Sequence, residues 1–238
     1  MLNAFLAYLE EQVRHHSIYV WGAQGQRSPV VNEAWIRKME KTRKNADRAV
    51  AYWERQVEAG YGSVLRAFDC SGLGVCFLLE NGFIERDMTA NSLMGKCTVI
   101  SPEDLRPGDF VFHVDKGGRA YHIGYAVDKS RTIIEAKGRD KGVVKAPFRG
   151  WKVCGRPPYF YEDGFRGFDR ILKLKTPYRR GMDVLTLQKA LAKRGYSPGR
   201  ADGVFGANTE KAVRAFQTAE KLEVDGAVGP ITLGRLGL

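Results

Sequence analysis

Cysteine and histidine are both scarce in this 238-residue chain, with four of each. Cys70, Cys76, Cys97 and Cys154 form no CxxC pair and no disulfide-like spacing, and the histidines form no ligand cluster. Those gaps argue against a metal site, against a disulfide framework and for reduced thiols, and no cofactor is expected. No apolar run approaches the length of a membrane span, so stable membrane insertion is not expected. The stretch from Met1 to Glu11 lacks a basic leader, and acids interrupt its apolar run early, so it does not read as a secretion signal. Acidic residues are outnumbered, 27 Asp and Glu against 38 Lys and Arg, for a net charge of +11. No basic run is interleaved with aromatics in a nucleic-acid motif, so nucleic acid is not the expected partner. The length suits one large domain plus a small one.

What is present is organised around Phe68-Asp69-Cys70-Ser71-Gly72-Leu73. An apolar run follows the cysteine (Leu73, Val75, Cys76, Phe77, Leu78, Leu79), and Asn81-Gly82 ends it. The pattern predicts a helix opening at Cys70 and closing at this αL-tolerant pair. Unpaired N–H groups and the dipole at the helix start should lower the thiol pKa and are placed to hold an oxyanion. The competing reading of Cys70 is a small buried hydrophobe, and the other three cysteines are expected to be buried. A thiol nucleophile needs a base, and His122 lies downstream in the alternating segment Tyr121-His122-Ile123-Gly124.

Residues 2 to 14 read as an amphipathic helix with Leu2, Phe5, Leu6, Leu9 and Val13 on one face. Ser17 to Gly22 is a short extended piece, in which Trp21 is expected to be core. Asn32 is placed to cap a helix that runs to Ala59-Gly60 with a break near Asn45. Its stripe of Trp35, Met39, Ala46, Val50, Trp53 and Val57 implies packing on the body. Its basic face (Arg37, Lys38, Lys41, Arg43, Lys44, Arg48) is either a solvated surface or a wall of a substrate groove. Residues 83 to 104 read as a connection. Alternation then predicts strands over 109–114, 119–128, 131–137, 142–146 and 151–153 in an antiparallel meander. Nothing near His113 supports a role for it.

The meander allows a geometric expectation. A hairpin turning at Lys129-Ser130 places Gly124 opposite Glu135 and makes His122 and Glu135 diagonal neighbours on one face. Gly124 has no side chain, so Glu135 can lean across it to orient the imidazole. The alternative is a surface carboxylate paired with Lys137 or Lys145.

The C-terminal part contains a repeat. Asp202-Gly203-Val204-Phe205-Gly206-Ala207-Asn208-Thr209 recurs as Asp225-Gly226-Ala227-Val228-Gly229-Pro230-Ile231-Thr232, offset by 23 positions. Asp-Gly predicts a tight turn, the second glycine a close backbone approach, and Thr a helix cap. The predicted helices are 184–194, 210–221 and 233–236.

Four elements in order resemble the NlpC-type cell-wall peptidases, a branch of the papain-like cysteine peptidases: Tyr19-Val20-Trp21-Gly22, Asp69-Cys70-Ser71-Gly72-Leu73, Leu105-Arg106-Pro107-Gly108-Asp109-Phe110-Val111-Phe112 and His122-Ile123-Gly124. The chain departs from that family in the roughly 45 residues between the first two elements. The repeat, with Leu187-Gln188 and Ala215-Phe216-Gln217, resembles three-helix peptidoglycan-binding modules. The resemblance implies an α+β papain-like domain at 1–158 with a helical insertion at about 28–62, a linker at 159–178 and an all-α module at 179–238. It implies a cysteine endopeptidase cutting the γ-D-glutamyl–diamino acid bond of peptidoglycan stem peptides. Cys70 would be the nucleophile, His122 the base and Glu135 the orienting group, where many members carry His. It also implies that Tyr19, Asp69 and Ser71 bind substrate. The alternatives are an N-acetylmuramoyl-L-alanine amidase with the same dyad and a non-catalytic wall-binding or phage structural protein. The basic charge suits a polyanionic wall. The lack of a signal fits a phage lysin, made in the cytoplasm and released to the wall. The oligomeric state stays open.

Overall fold

In the computed structural model, which describes residues 1–161, 165 and 167–238, the chain divides into two units. The first is Met1–Phe77 with Arg86–Pro157, and the second is Leu78–Glu85 with Pro158–Leu238. The linker pair Asp163-Gly164 lies outside the described residues. No helix among the described residues is long and apolar enough to cross a membrane.

The first unit opens with α1 (Leu2–Arg14), which buries Phe5, Tyr8, Leu9 and Gln12. This face is rotated from the expected one because its polar members have partners. The Tyr8 hydroxyl donates to the Leu73 carbonyl at 3.0 Å, and the Ser17 hydroxyl donates to Gln12 at 3.1 Å. Strands β1 (Ile18–Tyr19), β2 (Gln24–Gln26) and β3 (Ala67–Phe68) form a small sheet with β3 central. The insertion between β2 and β3 folds as α2 (Glu33–Met39) and α3 (Arg43–Glu58). Asn32 caps α2 as expected, but the break falls at Glu40–Thr42, ahead of Asn45. Thr42 restarts the helix by accepting the Asn45 N–H at 3.2 Å, and Glu40 leaves helical geometry with its carboxylate turned inward. Ile36, Ala49 and Val50 pack with Ile18, Val20 and Ala23, while Val57 in the last turn is exposed.

Next come α4 (Gly72–Glu80), α5 (Ala90–Lys96), β4 (Thr98–Ile100), β5 (Phe110–Val114), β6 (Ala120–Ala126), β7 (Thr132–Gly138), β8 (Gly142–Pro147) and β9 (Val153–Arg156). The expected connection at 83–104 therefore carries α5, capped by Thr89 on the Ser92 N–H, and β4. The large sheet runs β4-β9-β5-β6-β7-β8. Strand β9 does not extend the meander beyond β8; it returns beside β5, with Gly155 opposite Phe110. A buried ion pair there, Arg156 to Asp109 at 3.0 Å, joins the two strands. The hairpin β6–β7 sets Tyr125 opposite Ile134 and Ala126 opposite Ile133, the register that puts Gly124 beside Glu135. Phe5, Phe77, Phe110 and Tyr125 hold α1, α4 and the sheet together, with ring centroids 5.1–5.6 Å apart for Phe5–Phe77, Phe5–Tyr125 and Phe110–Tyr125. The result is the expected α+β layout, a cysteine-led helix packed on an antiparallel sheet.

The second unit contains α6 (Met182–Lys193), α7 (Ala207–Ala219) and α8 (Pro230–Leu236) around Leu172, Leu187, Phe205, Val213, Phe216 and Val228. Each repeat is closed by a buried glutamine. Gln188 Oε1 accepts the Gly203 N–H at 2.8 Å while its Nε2 donates to the Val204 carbonyl and Thr209 Oγ1 at 3.1 and 3.0 Å. Gln217 repeats this with Gly226, Ala227 and Thr232 at 2.9, 2.9 and 3.4 Å. Thr209 and Thr232 are therefore glutamine partners inside the first helical turn, not caps. The cap positions belong to Gly206 and Gly229, which have open space around them and make no close backbone approach.

Candidate active site

The nucleophile candidate sits two residues before α4. Asp69 fixes this entry: its Oδ1 accepts the Gly72 N–H at 2.6 Å and the Ser71 hydroxyl at 3.1 Å, and its Oδ2 accepts the Gly22 N–H at 3.1 Å. Tyr125 of β6 holds the same turn from the sheet side. Its hydroxyl donates toward the Cys70 and Ser71 carbonyls, both at 3.3 Å, and accepts the Gly74 N–H at 3.1 Å. Gly74 is required there, since a Cβ would lie 2.5 Å from that hydroxyl. Cys70 is half-buried, while Cys76, Cys97 and Cys154 are buried as expected.

Cys70 lines an open cleft of about 1000 Å³ with Tyr19, Asp69, Ser71, His122 and Glu135. All six residues singled out in the sequence thus meet in one place. His122 Nε2 lies 2.7 Å from Glu135 Oε2, and Lys137 Nζ donates to Glu135 Oε1 at 2.8 Å. Glu135 is buried, not at the surface as the alternative reading had it, and Lys145 pairs with Glu10 instead; only the Lys137 part of that reading holds, with one oxygen at the imidazole and the other at the lysine. Burial alone would raise the Glu135 pKa, but the bonds to His122 and Lys137 outweigh it and bring it below the usual value. An ionised carboxylate only accepts, so the His122 Nε2 that faces it is the donor.

The thiol differs from the expectation. Burial, then the Asp69 charge, push Cys70 up to about 11, against smaller opposing contributions from backbone N–H groups including Ser71 and Ile123. The resting group is therefore a protonated thiol at neutral pH, and its Sγ donates toward the Tyr121 carbonyl at 3.9 Å. Burial also raises the Tyr19 hydroxyl pKa, with the Cys70 charge next in size.

Trp21, expected in the core, is instead 44% exposed on the cleft wall. His113, given no role from sequence, faces His122 across β5–β6 and stacks on Trp151 with centroids 4.2 Å apart. Trp151 also lies parallel to the His122 ring at 5.6 Å. Gly124 makes room for it, since a Cβ there would lie 2.9 Å from the indole. A second hairpin register, turning over 115–119, would have placed His113 beside His122, but no local pattern announces Trp151 or Tyr125. No group of three or more His, Cys, Asp or Glu among the described residues is placed to hold a metal ion.

Fold and cleft define a two-module protein, an α+β domain with cysteine, histidine and carboxylate in one groove and a three-helix module. The chain matches the NlpC/P60 family over residues 17–152, more than half its length, and a peptidoglycan binding domain over residues 180–236. It belongs to the NlpC/P60 family. Among curated proteins it is 43% identical over 53 residues to N-acetylmuramoyl-L-alanine amidase CwlH of Bacillus subtilis, covering 20% of this chain and 21% of that protein. It is also 43% identical over 56 residues to the spore cortex-lytic enzyme of Oceanobacillus iheyensis, covering 24% of this chain and 20% of that protein. The chain thus spans about a fifth of the length of these relatives. Solved structures similar to it include the NlpC/p60 domain of peptidoglycan hydrolase SagA (18% identity, 66% of this chain and 98% of that one, TM-score 0.41). Another is peptidoglycan hydrolase RipB of Mycobacterium tuberculosis (17% identity, 65% of each chain, TM-score 0.41).

Proposed function

We propose that this protein is a peptidoglycan hydrolase, a cysteine endopeptidase that cuts the stem peptide at the γ-D-glutamyl–diamino acid bond. The observation that carries this reading is the Glu135–His122 pair at 2.7 Å in the cleft that Cys70 lines. In this mechanism Cys70 Sγ attacks the scissile carbonyl carbon as its proton passes to His122 Nδ1. The raised thiol pKa favours deprotonation that accompanies attack over a preformed thiolate. Glu135 holds the ring by its Nε2–H and stabilises the imidazolium. The backbone N–H groups of Cys70 and Ser71, which act on the Cys70 sulfur, hold the oxyanion, since those of Gly72, Leu73 and Gly74 are already bonded within the turn. Collapse breaks the C–N bond, and the leaving amine takes the proton from Nδ1. Water, deprotonated by the same nitrogen, then hydrolyses the thioester. Tyr19, Asp69 and Ser71 line the groove for substrate; the bonds of Asp69 and Ser71 to each other and to backbone give them a structural share of that task.

The match to a peptidoglycan binding domain supports anchoring of the enzyme to the wall by the second unit, which raises the local concentration of the first. Deleting residues 181–238 should weaken sedimentation with insoluble peptidoglycan more than it slows cleavage of a soluble muropeptide; unchanged sedimentation would refute anchoring.

A second reading, cleavage of the muramoyl–alanine bond, is favoured by the name of the CwlH relative. Mass spectrometry of fragments released from purified sacculi separates the two. New amino groups on the diamino acid support the endopeptidase, free muramoyl lactyl groups support the amidase, and no release leaves a binding protein.

A further inference from the structure

The insertion turns back to the cleft at the break between α2 and α3. Glu40 sits at that break with its side chain fully buried, 0% exposed. Its Oε1 accepts the Trp21 N–H at 3.0 Å, and its Oε2 accepts Arg139 Nε and Nη2 at 2.9 and 2.7 Å. Arg139 directly follows β7, the strand that carries Glu135 and Lys137, and its guanidinium lies 5.0 Å from the Tyr19 ring centre. Lys41, which follows Glu40, sets its ammonium 4.2 Å from the Trp21 ring centre. Tyr19 and Trp21 both line the cleft.

A buried carboxylate is tolerated only when donors surround it, and here three do. Removing it would leave the Trp21 N–H and the Arg139 guanidinium short of an acceptor. Trp21 is gripped at two points, its backbone by Glu40 and its ring face by Lys41. An exposed aromatic already fixed in one orientation loses little entropy when a ligand covers it.

We propose that Glu40 and Lys41 are positioning residues through which the insertion builds the substrate groove, holding Tyr19 and Trp21 as the wall that grips the stem peptide. The proposal rests on the reading of the cleft as the cleavage site. It places the insertion in substrate binding and leaves the thiol chemistry to Cys70, His122 and Glu135. Glu40 and Lys41 therefore act on KM, and the reactivity of Cys70 toward a small alkylator does not depend on them.

The test uses the full chain carrying Glu40→Ala, Glu40→Gln or Lys41→Met. Steady-state kinetics are measured on a soluble muropeptide and Cys70 alkylation with iodoacetamide. Glu40→Ala should raise KM about tenfold with kcat within about threefold of the parent. Glu40→Gln, which keeps an oxygen for the Trp21 N–H, should recover most of that loss, and Lys41→Met should raise KM about twofold. Alkylation should stay within about twofold of the parent in all three. A parental KM in Glu40→Ala would overturn the proposal, as would a loss confined to kcat with slowed alkylation. If Glu40→Ala does not fold, parental KM values in both other variants overturn it. If the parent does not turn over the muropeptide, the cleavage reading fails, and calorimetric binding of the same muropeptide decides the wall. Weaker binding by Glu40→Gln and Lys41→Met then supports it, and equal binding refutes it.

Discussion

The first unit buries several polar groups as charge pairs, one set of which lines its cleft; the C-terminal repeat buries its two glutamines as neutral amides. Arg156 meets Asp109, Arg139 meets Glu40, and Glu135 is shared between His122 and Lys137. In the repeat, Gln188 and Gln217 are 0% and 1% exposed, and each closes one Asp-Gly turn with the same bonds. The difference teaches what each arrangement is for. A charged network responds to protons and to a substrate's charge, which suits chemistry. An amide with both ends satisfied responds to neither, which suits a scaffold that must fold identically twice.

The largest break in that contrast should come from Cys70→Ser. It should cut kcat/KM on a soluble muropeptide by about 1000-fold or more while leaving the melting temperature near the parent's. A Ser variant that digests walls at close to the parental rate would end the nucleophile reading. Glu135 comes next. Glu135→Ala should lose about 100-fold, and Glu135→Gln, which still accepts the Nε2–H, about tenfold; an Ala variant as fast as the parent removes Glu135 from the site. On the other side of the comparison, Gln188→Ala or Gln217→Ala strands a buried turn N–H and removes one of the partners of Thr209 or Thr232. Each should lower the second unit's stability in urea by about 2–4 kcal/mol with muropeptide turnover unchanged. A loss below about 0.5 kcal/mol would mean that water replaces the amide.

The smallest effect concerns pH. The folded-state pKa of Glu135 lies below its ordinary value, so the ionised group stabilises the fold above the usual carboxylate range. That contribution is lost as pH falls through the folded value. The parent should therefore lose more of its urea resistance between about pH 6 and about pH 3 than Glu135→Gln does. Parallel losses in the two proteins would show that the carboxylate gains nothing from His122 and Lys137.

The parts of this molecule that were legible in sequence are those set by spacing along one segment. The Asp-Gly repeat, the Asn32 cap and the β6–β7 register all follow from local pattern, and the last brought Glu135 to His122. What escaped depends on partners far along the chain. Trp21 looks like core until Glu40 and Lys41, some 20 residues on, hold it at the surface. Tyr125 looks like another buried strand aromatic until its hydroxyl is seen under the nucleophile turn. The thiol pKa escaped for a different reason. The helix start was readable and acts in the expected direction, but burial and Asp69 outweigh it, and burial is a property of the assembled fold.

That protonated thiol has a consequence for the protein's chemical durability. With its pKa raised to about 11, the thiol stays protonated at neutral pH while the protein rests. Peroxide and other oxidants attack the thiolate, so conversion to sulfenic acid should be correspondingly slow. On the proposed mechanism the vulnerable species exists only during the moment when His122 holds the proton and a carbonyl is already in front of the sulfur. On that mechanism the resting protein should withstand oxidising surroundings without a partner thiol to protect it.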